Sequence, residues 1–466
     1  MNGPLDEPHF WRQADTANYA LDFYRFALNP FQPMVCWMGN FPVVILEFPI
    51  YEWIVALFYF PFGEQLLIAR TVTLAFWLGS AIFLYLLIDV LYTRTLAQAT
   101  TIIYAILPLG LFYSRAVHVD FSVTFFVHAF CFYLIRAVVD SNPKMLFLAI
   151  LSGGLAALMK SPYLFAPYFA LFAFLITKRA TIRYYFALAV PIVLFLGWHF
   201  YAGSVNAKAP DYSYLPGYFR FVDMGWWYFG TIAERFHGVN WRIIGSRLLY
   251  EVTTPYGAIL CVAGFIAYIL KRRQERFILL WLLGAILYLV LFFPLNVRHD
   301  YYQIPFLALA SFFIAESICV ILELPIRRQW IRPVLALLLL TSLFWQSWTF
   351  SNRVYYHVDW LRIAAGRLIE ENTKAKDLVL TIAADSDPRD PRLLYAARRH
   401  GFSVAEMHLN QEILENLRKE GVKYLAVVRH NDRNFPDVLK SLSFTRYVIS
   451  INKQPVGILY WTRLAD

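Results

Sequence analysis

An acidic segment near the start of the sequence carries the residue types that general acid–base chemistry uses. Three carboxylates, Asp6, Glu7 and Asp15, lie within a few residues of His9 and Arg12. A carboxylate held next to a hydroxyl or an amine can take its proton and so act as a general base. The alternative is a polar N-terminal tail in which Asp6 caps a helix.

Two further carboxylates stand in places where a charge is costly or specifically favoured. Glu47 follows the apolar residues 43–46 and precedes Phe48, so it needs a partner unless it is an interfacial residue that reaches water. Asp120 begins a predicted helix, where the helix dipole favours a carboxylate. It either caps that helix or is a second acid facing the same site.

Basic residues end or begin several apolar runs. Lys160 ends one run, while Arg298, His299 and Tyr301 lie together before another. Long cationic side chains at such positions often only reach the lipid headgroups. They also supply the charge-assisted hydrogen bonds that bind a phosphate.

The composition indicates that a membrane positions these groups. Of 466 residues, 59% are hydrophobic and only 16% are charged, whereas a soluble domain carries about 25% charged residues. The 85 aromatic residues exclude a disordered chain, and four cysteines exclude a disulfide scaffold. A net charge of +10 then indicates cytoplasmic loops of a membrane protein rather than a nucleic-acid binder.

A spanning helix needs about 20 mostly apolar residues. We predict spans near 66–92, 96–114, 121–139, 144–160, 161–178, 183–201, 255–270, 277–294, 301–323 and 330–350. The apolar stretch 49–61 is short and is predicted to be an interfacial or re-entrant helix, or part of a span. The aromatic loop 202–254 suits either the lipid–water boundary or the wall of a substrate cavity.

Charge bias orients the predicted spans. If residues 1–65 lie outside, the short outer turns hold only Arg115, Lys160 and Arg298, while most other loop cations fall inside. This orientation also puts the chain after residue 350 outside. Because no signal peptide or span precedes the first outer segment, we expect a further span upstream of Met1, or else a short translocated tail.

The composition changes at residue 351, beyond which no long apolar run occurs. We predict helices over 354–372, 391–400 and 411–420 and strands over 377–383, 423–429, 443–450 and 456–462. This alternation indicates a small α/β domain. Residues 385–390 are predicted to be a turn, and we assign this domain no chemistry.

The motifs, taken together, resemble those of the polyprenyl-phosphate-sugar-dependent membrane glycosyltransferases with the C-type fold. Relatives of these enzymes include the protein O-mannosyltransferases and the lipid A aminoarabinose transferases. The resembling segments are Asp6-Glu7-Pro8-His9-Phe10, His9-x-Trp11-Arg12-Gln13-x-Asp15-Thr16, Glu47-Phe48-Pro49-Ile50-Tyr51, Lys160-Ser161-Pro162 and His299-x-Tyr301-Tyr302-x-x-Pro305, with Arg70 opening a span and Asp120 in the second outer loop. Glu47 stands where the aminoarabinose transferases have lysine.

The resemblance implies an all-α polytopic membrane bundle of about 10–12 transmembrane helices with a small C-terminal α/β soluble domain. We predict a membrane-embedded domain over 1–350, with 1–65 as its first outer loop, and an extracytoplasmic domain over 351–466. The implied activity is transfer of a sugar from a polyprenyl-phosphate donor to lipid A, another glycan or a protein. The resemblance implies that this transfer inverts the configuration at the anomeric carbon and occurs at the outer face of the cytoplasmic membrane.

The resemblance also assigns roles to residues. Asp6 is favoured as the base that deprotonates the acceptor, with Asp15 as the alternative. The remaining residues are expected to hold the sugar or acceptor, support the first loop, or bind substrate and neutralise the departing phosphate; they are Glu7, His9, Arg12, Glu47, Arg70, Asp120, Lys160, Arg298, His299 and Tyr301. All are expected to converge in one extracytoplasmic cleft.

Two other functions remain open from the sequence: a transporter or flippase of lipid-linked sugars, and a structural subunit. A transporter would favour internal repeats and ionisable groups near the midplane of the membrane, and neither is evident. No cofactor is required. A divalent metal could sit beside the carboxylates, although no ligand spacing demands one.

Overall fold

A computed structural model describes residues 3–40, 42–271, 276–383, 387–431 and 437–464. Helices dominate the chain up to residue 354. In chain order they are α1 (Phe10–Arg25), α2 (Ile50–Phe62), α3 (Leu66–Leu91), α4 (Arg94–Ile106), α5 (Pro108–Tyr113), α6 (Asp120–Val139), α7 (Pro143–Lys160), α8 (Pro162–Thr177), α9 (Ile182–Asn206), α10 (Gly225–Tyr228), α11 (Gly238–Arg247), α12 (Pro255–Lys271), α13 (Phe277–Leu291), α14 (Phe293–Arg298), α15 (Leu307–Glu323) and α16 (Ile331–Val354).

Helices and strands alternate in the C-terminal region, as predicted. The elements are α17 (Trp360–Glu371), β1 (Leu378–Ala383), α18 (Pro391–Ala396), β2 (Gly401–Ser403), α19 (Gln411–Lys419), β3 (Val422–Arg429), α20 (Asp437–Lys440), β4 (Thr445–Ile451) and β5 (Gln454–Arg463). The predicted helix over 354–372 begins only at Trp360, where the Asp359 side chain accepts from the Arg362 amide at 3.0 Å. The predicted turn at 385–390 lies partly outside the described residues.

Six helices of the described chain are long and apolar enough to cross a membrane, and a seventh is obtained if one bent pair counts as a single span. The chain is therefore a multi-pass membrane protein. Three of the ten predicted spans are shorter or interrupted helices. The run 96–114 breaks at Leu107, because Pro108 cannot continue the hydrogen-bond ladder of α4, and α8 and α13 have only 16 and 15 residues.

The bent pair consists of residues Gly238–Thr253 and α12, which meet at 89°. Its first half ends in a π-helical turn at Leu248–Thr253, and Thr254 has a positive φ of 68°. Such a left-handed conformation ends a helix and redirects the chain. The sequence reasoning predicted the span at 255–270 but not the helical approach to it.

The described contacts divide the chain into two compact units. The first unit comprises Met1–Ala69, Tyr201–Asp223 and His357–Asp466, and the second comprises Arg70–Phe200 and Met224–Tyr356. The first unit is therefore assembled from three separate stretches of sequence. The domain boundary predicted at residue 350 remains a prediction.

One hydrophobic core holds the first unit together. Side chains of the five-stranded sheet pack with Val35–Met38 of the N-terminal segment and with Tyr212, Leu215 and Tyr218. The sheet order is β2-β1-β3-β5-β4, with β1 parallel to β2 and β3 and the remaining pairs antiparallel. Tyr212 and Tyr218 are buried. For these two residues, the predicted location at the lipid–water boundary is therefore wrong.

In the second unit, α6 packs on α7, α8 on α13, and α12 on α15. Gly264 allows the last pair to approach closely, because a Cβ at that position would lie 1.7 Å from the carbonyl oxygen of Phe313. Small residues of this kind let the backbones of membrane helices meet. The predicted helical membrane bundle with a small C-terminal α/β region is confirmed.

Replacing Gly264 by alanine should destabilise the protein by about 1–3 kcal/mol, because the new methyl group overpacks the contact between α12 and α15. Gly197→Ala is the matched control, since no atom lies within 4 Å of its added Cβ. The control should be neutral or slightly stabilising. Thermal unfolding in detergent measures both variants, and equal melting temperatures would contradict the proposed close approach.

Candidate active site

The first unit brings together three predicted site residues. Arg12 and Asp15 stand one turn apart on α1, and the Arg12 guanidinium forms an ion pair and hydrogen bond with the Glu47 carboxylate. The same guanidinium lies 4.0 Å from Asp15, measured from Nη1 to Oδ2. Glu47 therefore has the partner that its apolar surroundings require.

Asp15 is the most deeply buried acid of this group, with 1% of its surface exposed. Burial raises the pKa of Asp15 to about 6, although Arg12, a hydrogen bond from Trp37 and the charge of Arg389 oppose the rise. Trp37 donates from Nε1 to Oδ1 at 2.9 Å. Oδ2 is buried and accepts no hydrogen bond from the described residues.

Glu52 is a buried acid that the sequence reasoning did not select. It occupies the first turn of α2 with 1% of its surface exposed, and neither carboxylate oxygen accepts a hydrogen bond within the described chain. A signal was present, since an acid inside a strongly apolar helix is costly and so often functional. Glu47 rather than Glu52 was selected from the sequence, and Glu47 remains a predicted binding residue.

The remaining acids of the N-terminal motif have structural partners. Glu7 accepts from the Phe10 amide at 3.2 Å and lies 3.7 Å from Arg392, so Glu7 rather than Asp6 supplies the acceptor at the start of α1. Asp6 is buried, and its carbonyl oxygen accepts from Gln13 at 2.6 Å. His9 has a left-handed backbone, with φ 63°, at the residue before α1.

The second unit assembles a separate charged group around Asp120. Lys160 donates from Nζ to its Oδ1 at 2.7 Å, Tyr163 donates to the same oxygen, and His118 approaches the other. Asp120 is fully buried and does not cap its own helix. The capping alternative is therefore wrong, and the carboxylate instead joins α6 to the ends of α7 and α8.

Aromatic rings enclose the ammonium group of Lys160. Its Nζ lies 4.1 Å from the ring centroid of Tyr302, 4.7 Å from that of Tyr301 and 4.9 Å from that of Tyr163. Cation–π attraction of this kind stabilises a desolvated ammonium group. The His299 ring stacks on Tyr301 with centroids 4.9 Å apart.

Arg298 stands at the edge of this group. Its guanidinium carbon lies 4.4 Å from the ring centroid of Trp227, and that ring is 6.1 Å from the ring of His299. Partial burial lowers the pKa of Arg298, although an arginine stays protonated at physiological pH. The predicted residues Asp120, Lys160, Tyr301 and His299 thus come together, and Arg298 adjoins them.

Sequence reasoning missed two members of the second group, Tyr163 and Tyr113. Tyr163 donates to Asp120, and the ring of Tyr113 lies 5.3 Å from that of His118 while its hydroxyl donates to Asp300 at 2.6 Å. Arg70 is buried in the first turns of α3 and remains a predicted binding residue.

Across the described residues, no group of three or more His, Cys, Asp and Glu side chains is arranged to hold a metal ion. The carboxylates near Asp15 instead share one arginine, and Asp120 has a lysine. The first unit contains a carboxylate with an elevated pKa. The second unit contains cations in an aromatic setting.

Asp120→Asn should destabilise the protein by about 3–5 kcal/mol, because it leaves the buried Lys160 without its carboxylate. The double variant Asp120→Asn/Lys160→Met should recover a large part of that loss. Glu323→Gln is the matched control, because its pair with Lys271 is largely exposed and contributes at most about 1 kcal/mol. Additive losses in the double variant, measured by thermal unfolding, would argue against a buried pair.

Burial of the Asp15 carboxylate should also make stability depend on pH. The unfolded group ionises above its ordinary pKa of 3.8, whereas the folded group ionises only near 6, so folding loses stability as the pH rises through this window. Asp15→Asn should gain about 3 kcal/mol relative to wild type between pH 3.5 and pH 7.5. Melting temperatures across this range test the shift, with the exposed Glu371→Gln as control. A difference in melting temperature between wild type and Asp15→Asn that does not change with pH would contradict the raised pKa.

Comparisons with known proteins address the fold. Residues 47–200 match the sequence profile of a family described as dolichyl-phosphate-mannose-protein mannosyltransferase. The structure resembles ArnT from Cupriavidus metallidurans bound to undecaprenyl phosphate, with a TM-score of 0.60 and 12% identity over 99% of this chain and 95% of that one. No curated protein sequence matches the chain.

Two further structures share the architecture. Archaeal oligosaccharyltransferase AglB from Archaeoglobus fulgidus, in complex with an inhibitory peptide and a dolichol-phosphate, has a TM-score of 0.56 and 12% identity over 91% of this chain and 66% of that one. Arabinofuranosyltransferase AftD from Mycobacteria has a TM-score of 0.55 and 13% identity over 96% of this chain, which spans 37% of AftD. The chain therefore has the C-type fold of membrane glycosyltransferases that use polyprenyl-phosphate-linked sugars, and the predicted resemblance to these proteins is confirmed.

Proposed function

We propose that this protein transfers a sugar from a polyprenyl-phosphate donor to an acceptor at the outer face of the cytoplasmic membrane. The acceptor is lipid A, another glycan or a protein. The fold and the mannosyltransferase profile support this class, and the similar ArnT and AglB structures hold undecaprenyl phosphate and dolichol-phosphate. The distribution of loop cations supports the outer location.

The observation that carries the proposal is the environment of Asp15. A carboxylate whose pKa is about 6 is ionised at neutral pH, yet it is more basic than an ordinary aspartate. Its Oδ2 is not engaged by a hydrogen bond from the described residues. We therefore assign the base to Asp15 in place of Asp6.

Arg12 and Glu47 act on the base rather than on the substrate. Their ion pair fixes the guanidinium close to Asp15, and this cation keeps the pKa of the carboxyl from rising further. Trp37 holds the other oxygen and so orients the carboxylate. A base positioned by packing and hydrogen bonds is ready to accept a proton without reorganisation.

The reaction is a single displacement at the anomeric carbon of the donor sugar. The acceptor oxygen or nitrogen forms the new bond to this carbon while the bond to the lipid phosphate oxygen breaks, which inverts the configuration. The acceptor proton passes to Asp15, and polyprenyl phosphate leaves as the anion. We keep Lys160, Arg298 and His299 of the second unit as the residues predicted to bind the lipid phosphate and stabilise its charge.

Lys160 contributes to this stabilisation as part of a pair. Because Asp120 already binds its ammonium group, the lysine offers its remaining donors and a reduced net charge. Arg298 is only half-buried and stacks on Trp227, which leaves guanidinium donors available. We therefore assign the main phosphate contact to Arg298, with Lys160 and His299 beside it.

Asp15→Asn should lower transfer of label from a radiolabelled polyprenyl-phosphate sugar by about 100-fold or more, and Asp6→Asn should remain active. In the wild type, kcat/KM should fall as the pH drops below about 6, because Asp15 becomes protonated. A fully active Asp15→Asn variant, or an Asp6→Asn variant that folds but is inactive, would contradict the assignment. Movement of the lipid across vesicles without transfer would instead identify a carrier.

A further inference from the structure

Arg389 places a cation beside Asp15 from the C-terminal part of the first unit. Each group contributes to the electrostatic environment of the other. The connection runs through Trp37: its ring centroid is 5.7 Å from the guanidinium carbon of Arg389, and its Nε1 donates to Asp15. The sequence reasoning assigned no chemistry to this region.

Three aromatic rings surround the Arg389 guanidinium. Its carbon lies 4.1 Å from the ring centroid of Phe219 and 5.2 Å from that of Phe221, in addition to Trp37. The rings also contact one another, with centroids 5.0 Å apart for Phe219 and Phe221 and 5.8 Å for Trp37 and Phe221. The guanidinium is thus held by cation–π contacts, which leave its N–H groups free of ring acceptors of hydrogen-bond strength.

The guanidinium makes no hydrogen bond to the described residues, and its Nε is buried without an acceptor. The adjacent Asp390 does not satisfy it, because both oxygens of that carboxylate accept from Arg392. Burial lowers the pKa of Arg389, which means that the surroundings disfavour its charged form. A buried donor without an acceptor is unfavourable unless a ligand supplies one.

The backbone of Arg389 is also held in an unfavourable conformation. Its φ is 67°, a left-handed conformation that a residue with a Cβ seldom adopts. Its amide donates to the Ser403 carbonyl at 3.2 Å, which ties the residue to the end of β2. A non-glycine residue held in this conformation is typical of functional positions.

We propose that Arg389 binds an anionic group, a phosphate or a carboxylate, that the acceptor carries close to its nucleophilic atom. The chemistry is that of a bidentate guanidinium–oxyanion contact. The acceptor rather than the donor is assigned because the base contacts the acceptor, and Arg389 neighbours the base. This assignment rests on the proposed function, and the anion site itself does not.

Arginine labelling tests the anion site without any activity assay. The full-length protein in detergent is treated with phenylglyoxal, and modification of Arg389 is followed by peptide mass spectrometry. With a Kd of about 1 mM, roughly 10 mM inorganic phosphate should slow the labelling of Arg389 about tenfold. The exposed Arg446 on β4 should be labelled at an unchanged rate, and potassium chloride of equal ionic strength should protect neither residue. Equal labelling of Arg389 with and without phosphate overturns the proposal.

Labelling in the presence of two different ligands distinguishes an acceptor site from a donor site. Glucose 6-phosphate, which presents a phosphate on a sugar, should protect Arg389, whereas undecaprenyl phosphate should not. Protection by the lipid phosphate alone would overturn the acceptor assignment. Because labelling does not require sugar transfer, these results can be distinguished from a failure of the proposed function.

Kinetics supply a further test where transfer is measurable. Arg389→Gln should raise the KM for the acceptor about 10- to 100-fold, the effect of losing a charged hydrogen bond, and should leave the donor KM unchanged. Arg389→Lys should lose less, because it keeps the charge. The exposed Lys453→Gln is the control for net charge. An Arg389→Gln variant that folds and keeps its acceptor KM contradicts the proposal.

Discussion

The cost of burying charge in a low-dielectric interior governs both charged groups of this protein. A carboxylate or a cation removed from water is tolerated when an opposite charge and hydrogen bonds replace its hydration. Glu47 is matched by Arg12 and Asp120 by Lys160, and in each case the partners come from different helices or loops. Asp15 is matched incompletely, since its closest cation is shared with Glu47. Burial therefore raises the pKa of Asp15, because Arg12 and the hydrogen bond from Trp37 offset only part of its effect.

The helical bundle was predictable because apolar runs must lie in the membrane, whatever their packing. The lengths of the helices were less predictable, since Pro108 breaks one run and α8 and α13 have only 16 and 15 residues. The site was predicted in part. Motif order selected Arg12, Asp15, Glu47, Asp120 and Lys160, but not which pairs they form, since partners 35 or 40 residues apart carry no local signal. Trp37 and Arg389 could not be selected because burial and ring stacking depend on tertiary packing, whereas Glu52 carried a signal as an acid within an apolar helix.

The C-terminal region, read from the sequence as a domain without chemistry, is joined closely to the N-terminal motif. Arg392 pairs with Glu7 at the start of α1, the Glu7 amide donates to the His357 carbonyl at 2.7 Å, and His400 meets Asp22 at 3.1 Å. These contacts hold α1 along its length, and α1 carries Asp15. The C-terminal region therefore holds in place the helix that carries Asp15.

The three-part composition of the first unit has a consequence for biosynthesis. Val35–Met38 pack in a core whose other half includes strands β3 and β5, which leave the ribosome roughly 400 residues later. The N-terminal segment therefore cannot complete its packing until these strands are synthesised, and the intervening spans are made first. A polypeptide released before β5 is made would contain Val35–Met38 without the strands that complete their core.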